Sequence, residues 1–409
     1  MTHDALLDRY AHLAIRSGLN LQPGQQLLIT APLDAVPLVR RVTEHAYKAG
    51  ASLVTTIYND DVTTLARYQH APDESFDVAP AWLFDGMAEA FRHGAARLAI
   101  AGEDPSLLSG QDVNKLSRAN KSRSIAYRPA LELITGFSIN WSVIACATPV
   151  WAKSVFPALP EAEALAKLWS AIFFCTRADL ADPVAAWEEH SAALARRTSF
   201  LNQRHYRALH FTGPGTDLML GLAEEHNWKG GAGRARNGVI CNPNIPSEEV
   251  FTAPHKDMVD GTVCSSKPLS YQGSLIDGIK VRFERGRIVE MTAEKGEDAF
   301  RNLISTDEGA TRLGEVALVP HSSPISKSGI IFNNTLFDEN AASHIAVGQS
   351  YTENIRDGAK RSKEELLALG ANASMVHVDW MIGSAELDVD GIRADGTAEP
   401  LMRKGEWAI

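Results

Sequence analysis

The 409-residue sequence predicts an α/β protein, with a doubly wound N-terminal α/β domain followed by a mixed α+β domain. Strand-like and helix-like segments alternate in the first part, which is typical of a parallel sheet covered by helices. After about residue 206 the pattern changes to short strands, turns and glycines. The length also exceeds what one core usually supports, so we expect two domains, at residues 1–185 and 186–409.

The first part contains alternating segments of two kinds, distinguished by the spacing of their apolar residues. The predicted helices cover residues 5–17, 33–49, 60–68 and 82–93. The predicted strands cover residues 26–30, 52–58, 97–101 and 138–147. Helical patterns then dominate residues 159–201, where Pro183 is a break. We therefore expect a mainly parallel sheet with helices on both faces.

The second half is richer in turns. A hairpin is predicted over residues 278–292, with Arg285 and Gly286 in the turn between two β-rich stretches. The glycines of residues 230–233 lack the order of a dinucleotide-binding fingerprint. A flexible turn is favoured there, and a loop close to a ligand or to another backbone is the alternative.

Composition and charge exclude several classes of protein. The formal net charge is -10 and basic residues are scattered, which opposes binding to nucleic acid. The four cysteines show no CxxC spacing and are interpreted as reduced thiols of a cytoplasmic protein. The first residues are polar, and no apolar stretch approaches the roughly 20 residues that span a membrane. We therefore expect no nucleic-acid partner and no membrane partner.

Near the C-terminus, His377 and Asp379 lie two positions apart in an otherwise apolar, strand-like run. Side chains two apart on a strand point the same way, so both project from one face while Val376 and Val378 pack on the other. A buried carboxylate needs a cation or a hydrogen-bond network, and a histidine beside a carboxylate is half of a common metal site. This pair predicts a metalloenzyme.

Two further segments supply carboxylates. Glu315 stands at the start of an apolar strand of the kind that is buried on both faces. It is either a metal ligand or a strand-end carboxylate that reaches solvent. Glu248 and Glu249 enter a short β-prone segment between prolines. On a strand they would face opposite ways, so only one of them would enter a site, and Phe251 would share the face of Glu249. The alternative there is two surface glutamates at a turn.

Within the run from residue 332 to residue 348, a helix is predicted that has Asp338 as its N-cap and Gly348 as its end. On that helix Glu339 and His344 would lie about 140° apart and would share a face only if Glu339 belonged to an irregular first turn. A lone histidine there is usually a core residue. Tyr351 follows the predicted end of the helix.

Together these glutamates, histidines and aspartate supply enough oxygen and nitrogen ligands for two divalent ions. Two such ions, roughly 3.5–4 Å apart, can clamp a hydrolytic water and polarise a scissile carbonyl, and a carboxylate between them can bridge both. A mixed carboxylate and imidazole set suits zinc, cobalt or manganese.

These segments resemble the family of metal-dependent aminopeptidases typified by thermophilic aminopeptidase T and staphylococcal aminopeptidase S. The resemblance rests on residues 244–254, 314–317, 333–344 and 377–379, and it covers essentially the full chain in length and order of motifs. It implies an N-terminal α/β domain, a C-terminal catalytic domain and a homodimer that encloses its active sites.

The resemblance also implies roles for particular residues. Glu315 would bridge the two metals, and Tyr351 would stabilise the tetrahedral intermediate. Either Glu249 or Glu315 would take the proton from the attacking water, and the sequence does not decide between them. The implied metal ligands are Glu249, Glu315, Glu339, His344, His377 and Asp379.

The main hypothesis is therefore an exopeptidase that releases N-terminal residues from peptides with a free N-terminus. Two alternatives stay open at this point. A relative of this fold uses one iron to open hydroxylated pyridine rings with dioxygen, and a non-catalytic binding protein could keep the scaffold. The preferred N-terminal side chain, the native metal and the gating of the site by dimer opening do not follow from the sequence.

Overall fold

The computed structural model describes residues 1–104, 106–271 and 274–409. Its contacts divide it into two compact units. The first comprises Met1–His190 and Ala232–Pro246, and the second comprises Ser191–Gly231 and Ser247–Ile409. The division into domains at about residue 185 stays a prediction.

The helices include those predicted in the first half. They are α1 (His3–Leu13), α2 (Val36–Lys48), α3 (Asp61–His70), α4 (Ala81–Arg92), α5 (Val113–Thr135), α6 (Pro149–Val155), α7 (Glu161–Cys175), α8 (Pro183–Arg204), α9 (Glu297–Ile304), α10 (Pro324–Ser328), α11 (Thr335–Asp338) and α12 (Lys363–Ala368). Pro183 is the first residue of α8, where its missing N–H costs nothing, so the predicted break is confirmed.

Most of the strands are short, and the longest, Pro254–Cys264, is β10. They are β1 (Gln26–Pro32), β2 (Leu53–Asn59), β3 (Ala96–Ala101), β4 (Trp141–Ala145), β5 (Ala208–Gly213), β6 (Thr216–Leu222), β7 (Gly233–Arg234), β8 (Ile240–Cys241), β9 (Val250–Thr252), β10 (Pro254–Cys264), β11 (Leu269–Tyr271), β12 (Ser274–Ile276), β13 (Lys280–Glu284), β14 (Arg287–Thr292), β15 (Leu313–Leu318), β16 (His344–Gly348), β17 (His377–Met381), β18 (Asp388–Ile392), β19 (Ala398–Arg403) and β20 (Glu406–Trp407). The predicted hairpin is confirmed as β13 and β14.

The first unit contains a four-stranded parallel sheet in the order β2-β1-β3-β4. The predicted parallel pairing is therefore confirmed. Parallel neighbours need crossover connections, and helices α2, α4 and α5 supply them. Part of the core lies where α4 and α5 cover β1, and it includes Leu28, Phe84, Phe91, Ala130 and Ile134.

The second unit contains two antiparallel sheets of four or more strands. One has eight strands in the order β14-β13-β10-β6-β5-β18-β19-β20, and the other has four in the order β17-β16-β15-β9. Their shared core is formed by buried side chains such as Leu220, Val259, Val316, Ile345 and Trp380. Across the described ranges of the chain, none of the helices has the length and apolar character of a membrane span.

Candidate metal centre

The four-stranded antiparallel sheet of the second unit positions most of the predicted ligands. Glu315 lies on β15, and His344 lies on the neighbouring strand β16. His377 and Asp379 lie on β17, which pairs with the other edge of β16. Ala346 of β16 is the register partner of both Glu315 and Asp379. Its methyl group is small, so the central strand leaves space between the carboxylates on either side.

The strand that carries His377 and Asp379 was predicted correctly, but the helix over residues 338–348 is wrong. Asp338 is the last residue of α11, and residues 344–348 form strand β16 between β15 and β17. Every residue of β16 is buried. Its sequence therefore lacks the alternation of apolar and polar residues by which a strand is distinguished from a helix. Tertiary pairing decides the conformation, and it brings His344 into the site.

The surface alternatives for the glutamates are also wrong. Glu248 and Glu249 are only 3% and 8% exposed, and both precede β9, so strand alternation does not govern them. Glu315 is 5% exposed on a strand that is buried throughout. Neither segment is a solvent-facing turn or strand end.

The imidazoles and carboxylates converge within a few ångströms. His344 Nε2 lies 3.1 Å from Glu249 Oε2, 3.7 Å from Glu315 Oε1 and 4.0 Å from Asp379 Oδ1. His377 Nε2 lies 3.6 Å from Glu315 Oε2 and 3.6 Å from Asp379 Oδ1. Among the residues that the structure describes, two groups of three potential ligands result, and Glu315 belongs to both.

Both imidazoles are fixed by hydrogen bonds to the backbone. His344 Nδ1 lies 3.1 Å from the carbonyl oxygen of Ala342, and His377 Nδ1 lies 2.7 Å from that of Gln349. A carbonyl can only accept, so each Nδ1 carries a proton, and Nε2 is the nitrogen that would give up its proton to bind a metal. This is the usual arrangement of metal-binding histidines, whose other nitrogen is bound to a backbone or carboxylate oxygen.

The carboxylates are buried without the partners they need. Within the described part of the chain, Glu249 Oε2, Glu315 Oε2 and Asp379 Oδ1 make no hydrogen bond of normal geometry. Buried polar atoms are almost always satisfied, and buried charges are paired or coordinate metals. The donor set, carboxylate oxygens with imidazole nitrogens, therefore fits divalent cations.

Two predicted residues lie at the border of this cluster. Glu339 is partly buried and close enough for its charge to interact with Glu249 and Asp379. Tyr351 is 44% exposed, and its ring centroid lies 4.6 Å from that of His377. The structure thus brings five of the predicted ligands into direct range of one another, with Glu339 and Tyr351 beside them.

The electrostatics of the cluster follow from its burial. Burial raises the pKa of Glu315 to about 7, and the charges of Asp379 and Glu249 act in the same direction. Burial also raises the pKa of Glu339 well above its usual range. Burial opposes the charged form of His377, but Asp379 and Glu315 raise its pKa to about 9. The cluster thus holds an excess of negative charge, which bound cations would neutralise.

Sequence reasoning missed Asn340, a buried residue that links two ligand-bearing segments. Its Oδ1 accepts a hydrogen bond of 2.7 Å from the backbone N–H of Glu248, and its Nδ2 lies 3.4 Å from Glu339 Oε1. Asn340 thereby ties the segment before β9 to the turn after α11. The signal in the sequence was its position directly after Glu339, a predicted ligand.

The favoured interpretation of residues 230–233 as a flexible turn is wrong at its first glycine. A Cβ on Gly230 would overlap the carbonyl oxygen of Glu249 and crowd Val250. Close approach to another backbone was the alternative, and it explains why glycine is needed here. The turn lies directly against the segment that presents a predicted ligand.

The fold and the metal centre together define the class of this protein, which is a metal-dependent hydrolase on a mixed α/β scaffold. The thermophilic metalloprotease family M29 matches residues 3–407. Aminopeptidase T of Thermus thermophilus is 56% identical over 98% of each chain, and aminopeptidase 2 of Geobacillus stearothermophilus is 48% identical over 98% of each. The solved structure of wild-type AmpT from Thermus thermophilus superimposes with a TM-score of 0.94, at 54% identity over 100% of both chains.

The chain belongs to the M29 family of thermophilic metalloproteases. It is a metalloaminopeptidase, a hydrolase that acts as an exopeptidase. The resemblance inferred from the four sequence segments is therefore confirmed. The iron-dependent ring-opening dioxygenase and the non-catalytic binding protein gain no support from these relatives.

Proposed function

We propose that the enzyme removes N-terminal residues from peptides with a free N-terminus by means of two divalent ions, which are zinc, cobalt or manganese. The ligands would be Glu249, Glu315, Glu339, His344, His377 and Asp379. One observation carries this proposal: buried carboxylate oxygens without hydrogen bonds face two imidazole Nε2 atoms whose Nδ1 protons are already bound. Two bound ions would polarise the scissile carbonyl and acidify the attacking water.

Glu315 is the proposed bridging ligand. Its Oε1 lies on the side of His344 and its Oε2 on the side of His377, at 3.7 and 3.6 Å from the Nε2 atoms. A carboxylate that directs one oxygen toward each half of the donor set can serve two ions at once. This geometry supports two metals better than one.

The remaining chemistry belongs to the side chains. Glu249 or Glu315 accepts the proton of the attacking water. Partial burial and the negative charges of Glu315 and Asp379 raise the pKa of Tyr351, so its phenol stays protonated and can donate to the developing oxyanion. The acidic surroundings favour the positively charged α-amine of the substrate.

Removal of the metals tests this function directly. After thorough chelation, hydrolysis of aminoacyl amides should cease, and zinc, cobalt or manganese should restore it. Elemental analysis should give two ions per chain for the reactivated enzyme and fewer for Glu315→Ala, whose folding is checked by circular dichroism. Hydrolysis that survives chelation would contradict the proposal.

We further propose that the chain works as a cytoplasmic homodimer, with an N-terminal doubly wound α/β domain (1–185) and a C-terminal catalytic domain (186–409). The family resemblance supports the dimer and the domains. Cys146, Cys175, Cys241 and Cys264 form no disulfide, which suits a reducing compartment. Light scattering should give twice the chain mass of 44.4 kDa, and a monomer would contradict the dimer.

A further inference from the structure

A cavity of about 210 Å³ lies beside the metal centre, in the second unit. Three of the proposed ligands line it: Glu339, His377 and Asp379. Its other walls come from β11, from residues 333–335 and from the end of β17. The cavity therefore adjoins the place where the scissile bond would lie.

Met381 is the side chain that continues the row of ligands into this cavity. Residues His377, Asp379 and Met381 alternate along β17 and so share one face, with Met381 about 7 Å beyond Asp379. Met381 is buried and lines the cavity. Its carbonyl oxygen accepts a hydrogen bond of 2.9 Å from the N–H of Ser266, which fixes the segment leading to β11 against this strand.

The opposite wall is held by Asp338. Its Oδ1 accepts a hydrogen bond of 2.7 Å from the N–H of Phe332, and its Oδ2 accepts one of 3.0 Å from the N–H of Asn334. Between them Asn333 has a φ of 55°, a conformation that few residues other than glycine adopt. The loop that lines the cavity is therefore held in one shape, and the cavity is bounded on both sides.

We propose that this cavity receives the side chain of the substrate's N-terminal residue, and that Met381 limits the size of the side chain accepted. This inference rests on the proposed function, because an aminopeptidase has a single residue on the amine side of the scissile bond. A bounded cavity suits that residue, whereas the leaving peptide needs an open exit. An apolar cavity of about 150 Å³ can hold a benzene molecule, so the volume here suits side chains up to a phenyl ring.

The lining also defines the chemistry of the side chain. Leu269, Tyr271 and Met381 provide apolar surface. Of the residues that the structure describes, no lysine or arginine lines the cavity, and Asp338 adds a carboxylate. Ser270, Asn333 and Thr335 add polar surface, so the cavity admits uncharged side chains, apolar or polar, and rejects acidic ones by like charge.

Substitution of Met381 tests the size limit in both directions. The ratio of kcat/KM for tryptophanyl over leucyl p-nitroanilide should rise about tenfold in Met381→Ala, because several methylene-sized groups are removed. The ratio for phenylalanyl over alanyl p-nitroanilide should fall about tenfold in Met381→Phe. Met291→Ala is the matched control, since Met291 is buried on β14 outside the cavity, and both ratios should stay unchanged.

Charge discrimination is measured on the wild-type enzyme. Hydrolysis of glutamyl p-nitroanilide should be at least about tenfold slower than that of the isosteric glutaminyl compound. Equal losses of kcat/KM on every substrate in the Met381 variants would overturn the inference, and so would equal rates for the glutamyl and glutaminyl compounds. Either outcome would leave the peptidase function intact. If the metal-loaded wild type cleaves none of these compounds, the proposed function fails, and the inference fails with it.

Discussion

At the scale of single residues, the hydrogen bonds at Nδ1 decide how the two histidines act. The carbonyl groups of Ala342 and Gln349 hold those protons, and the Nε2 atoms of His344 and His377 are left to face the carboxylates. The sequence identifies the residue types of a metal site. It does not identify these carbonyl groups, because any residue offers one and only the folded backbone places it.

Tyr351→Phe should reduce kcat by about 10²- to 10³-fold, the typical cost of losing an oxyanion donor. The ring contacts with His377 and Phe251 do not need the hydroxyl, so metal content should not change. Steady-state kinetics and elemental analysis of the same preparation check this. An unchanged kcat would exclude the role proposed for the phenol.

His226 predicts a pH dependence of stability away from the metal centre. Burial and the neighbouring His205 lower the pKa of His226 to about 4, whereas an unfolded histidine titrates near 6.5. The unfolded chain therefore binds more protons between these values. The free energy of unfolding should fall by up to about 3 kcal/mol as the pH drops from 6.5 to 4.

Urea unfolding between pH 4 and 7 measures this effect. In His226→Asn the pH profile should be flatter, since the titrating group is gone while an amide can still donate to the carbonyl of Ala223. His93→Asn, at the exposed end of α4, is the control and should keep the wild-type profile. Identical profiles for His226→Asn and the wild type would refute this assignment.

At the scale of elements, the register of one sheet gathers ligands that are far apart in sequence. Pairing of β16 with both β15 and β17 places Ala346 between Glu315 and Asp379, and it places Gly348 beside His377. The alternation within β17 follows from the sequence, and so does the hairpin of β13 and β14. The register between β15, β16 and β17 does not, since it depends on contacts made after the chain has folded.

Gly230→Ala should displace the carbonyl of Glu249 and so loosen one side of the metal centre. The added Cβ overlaps that carbonyl oxygen, and a shift of about 1 Å in a catalytic group can cost 10²-fold in rate. The expected result is a loss of kcat/KM of that order and weaker retention of metal during dialysis. Gly86→Ala on α4 is the control, because a Cβ there meets open space. Equal activity of the two variants would contradict the steric argument.

At the scale of the whole molecule, the metal centre should contribute to the stability of the fold. Buried carboxylates repel one another without cations, and a ligand that binds only the native state stabilises it by about 2.7 kcal/mol at 100 times its Kd. Chelation should therefore lower the Tm by a few degrees, and readdition of the metal should restore it. A thermal scan with and without zinc measures the shift, and Glu315→Ala should show a smaller one. A Tm that does not respond to metal would argue against occupancy of the site.

The sequence by itself determined the mixed α/β class, the parallel part of the fold, the strand of His377 and Asp379, and membership of the metalloaminopeptidase family. These features depend on local periodicity and on short segments whose residue types carry the chemistry. Tertiary structure alone decided that residues 344–348 form a strand, that Asn340 joins two ligand-bearing segments, and that a cavity reaches Met381. The physical reason is that buried apolar runs have no period of their own, so long-range pairing and packing select their conformation and their neighbours.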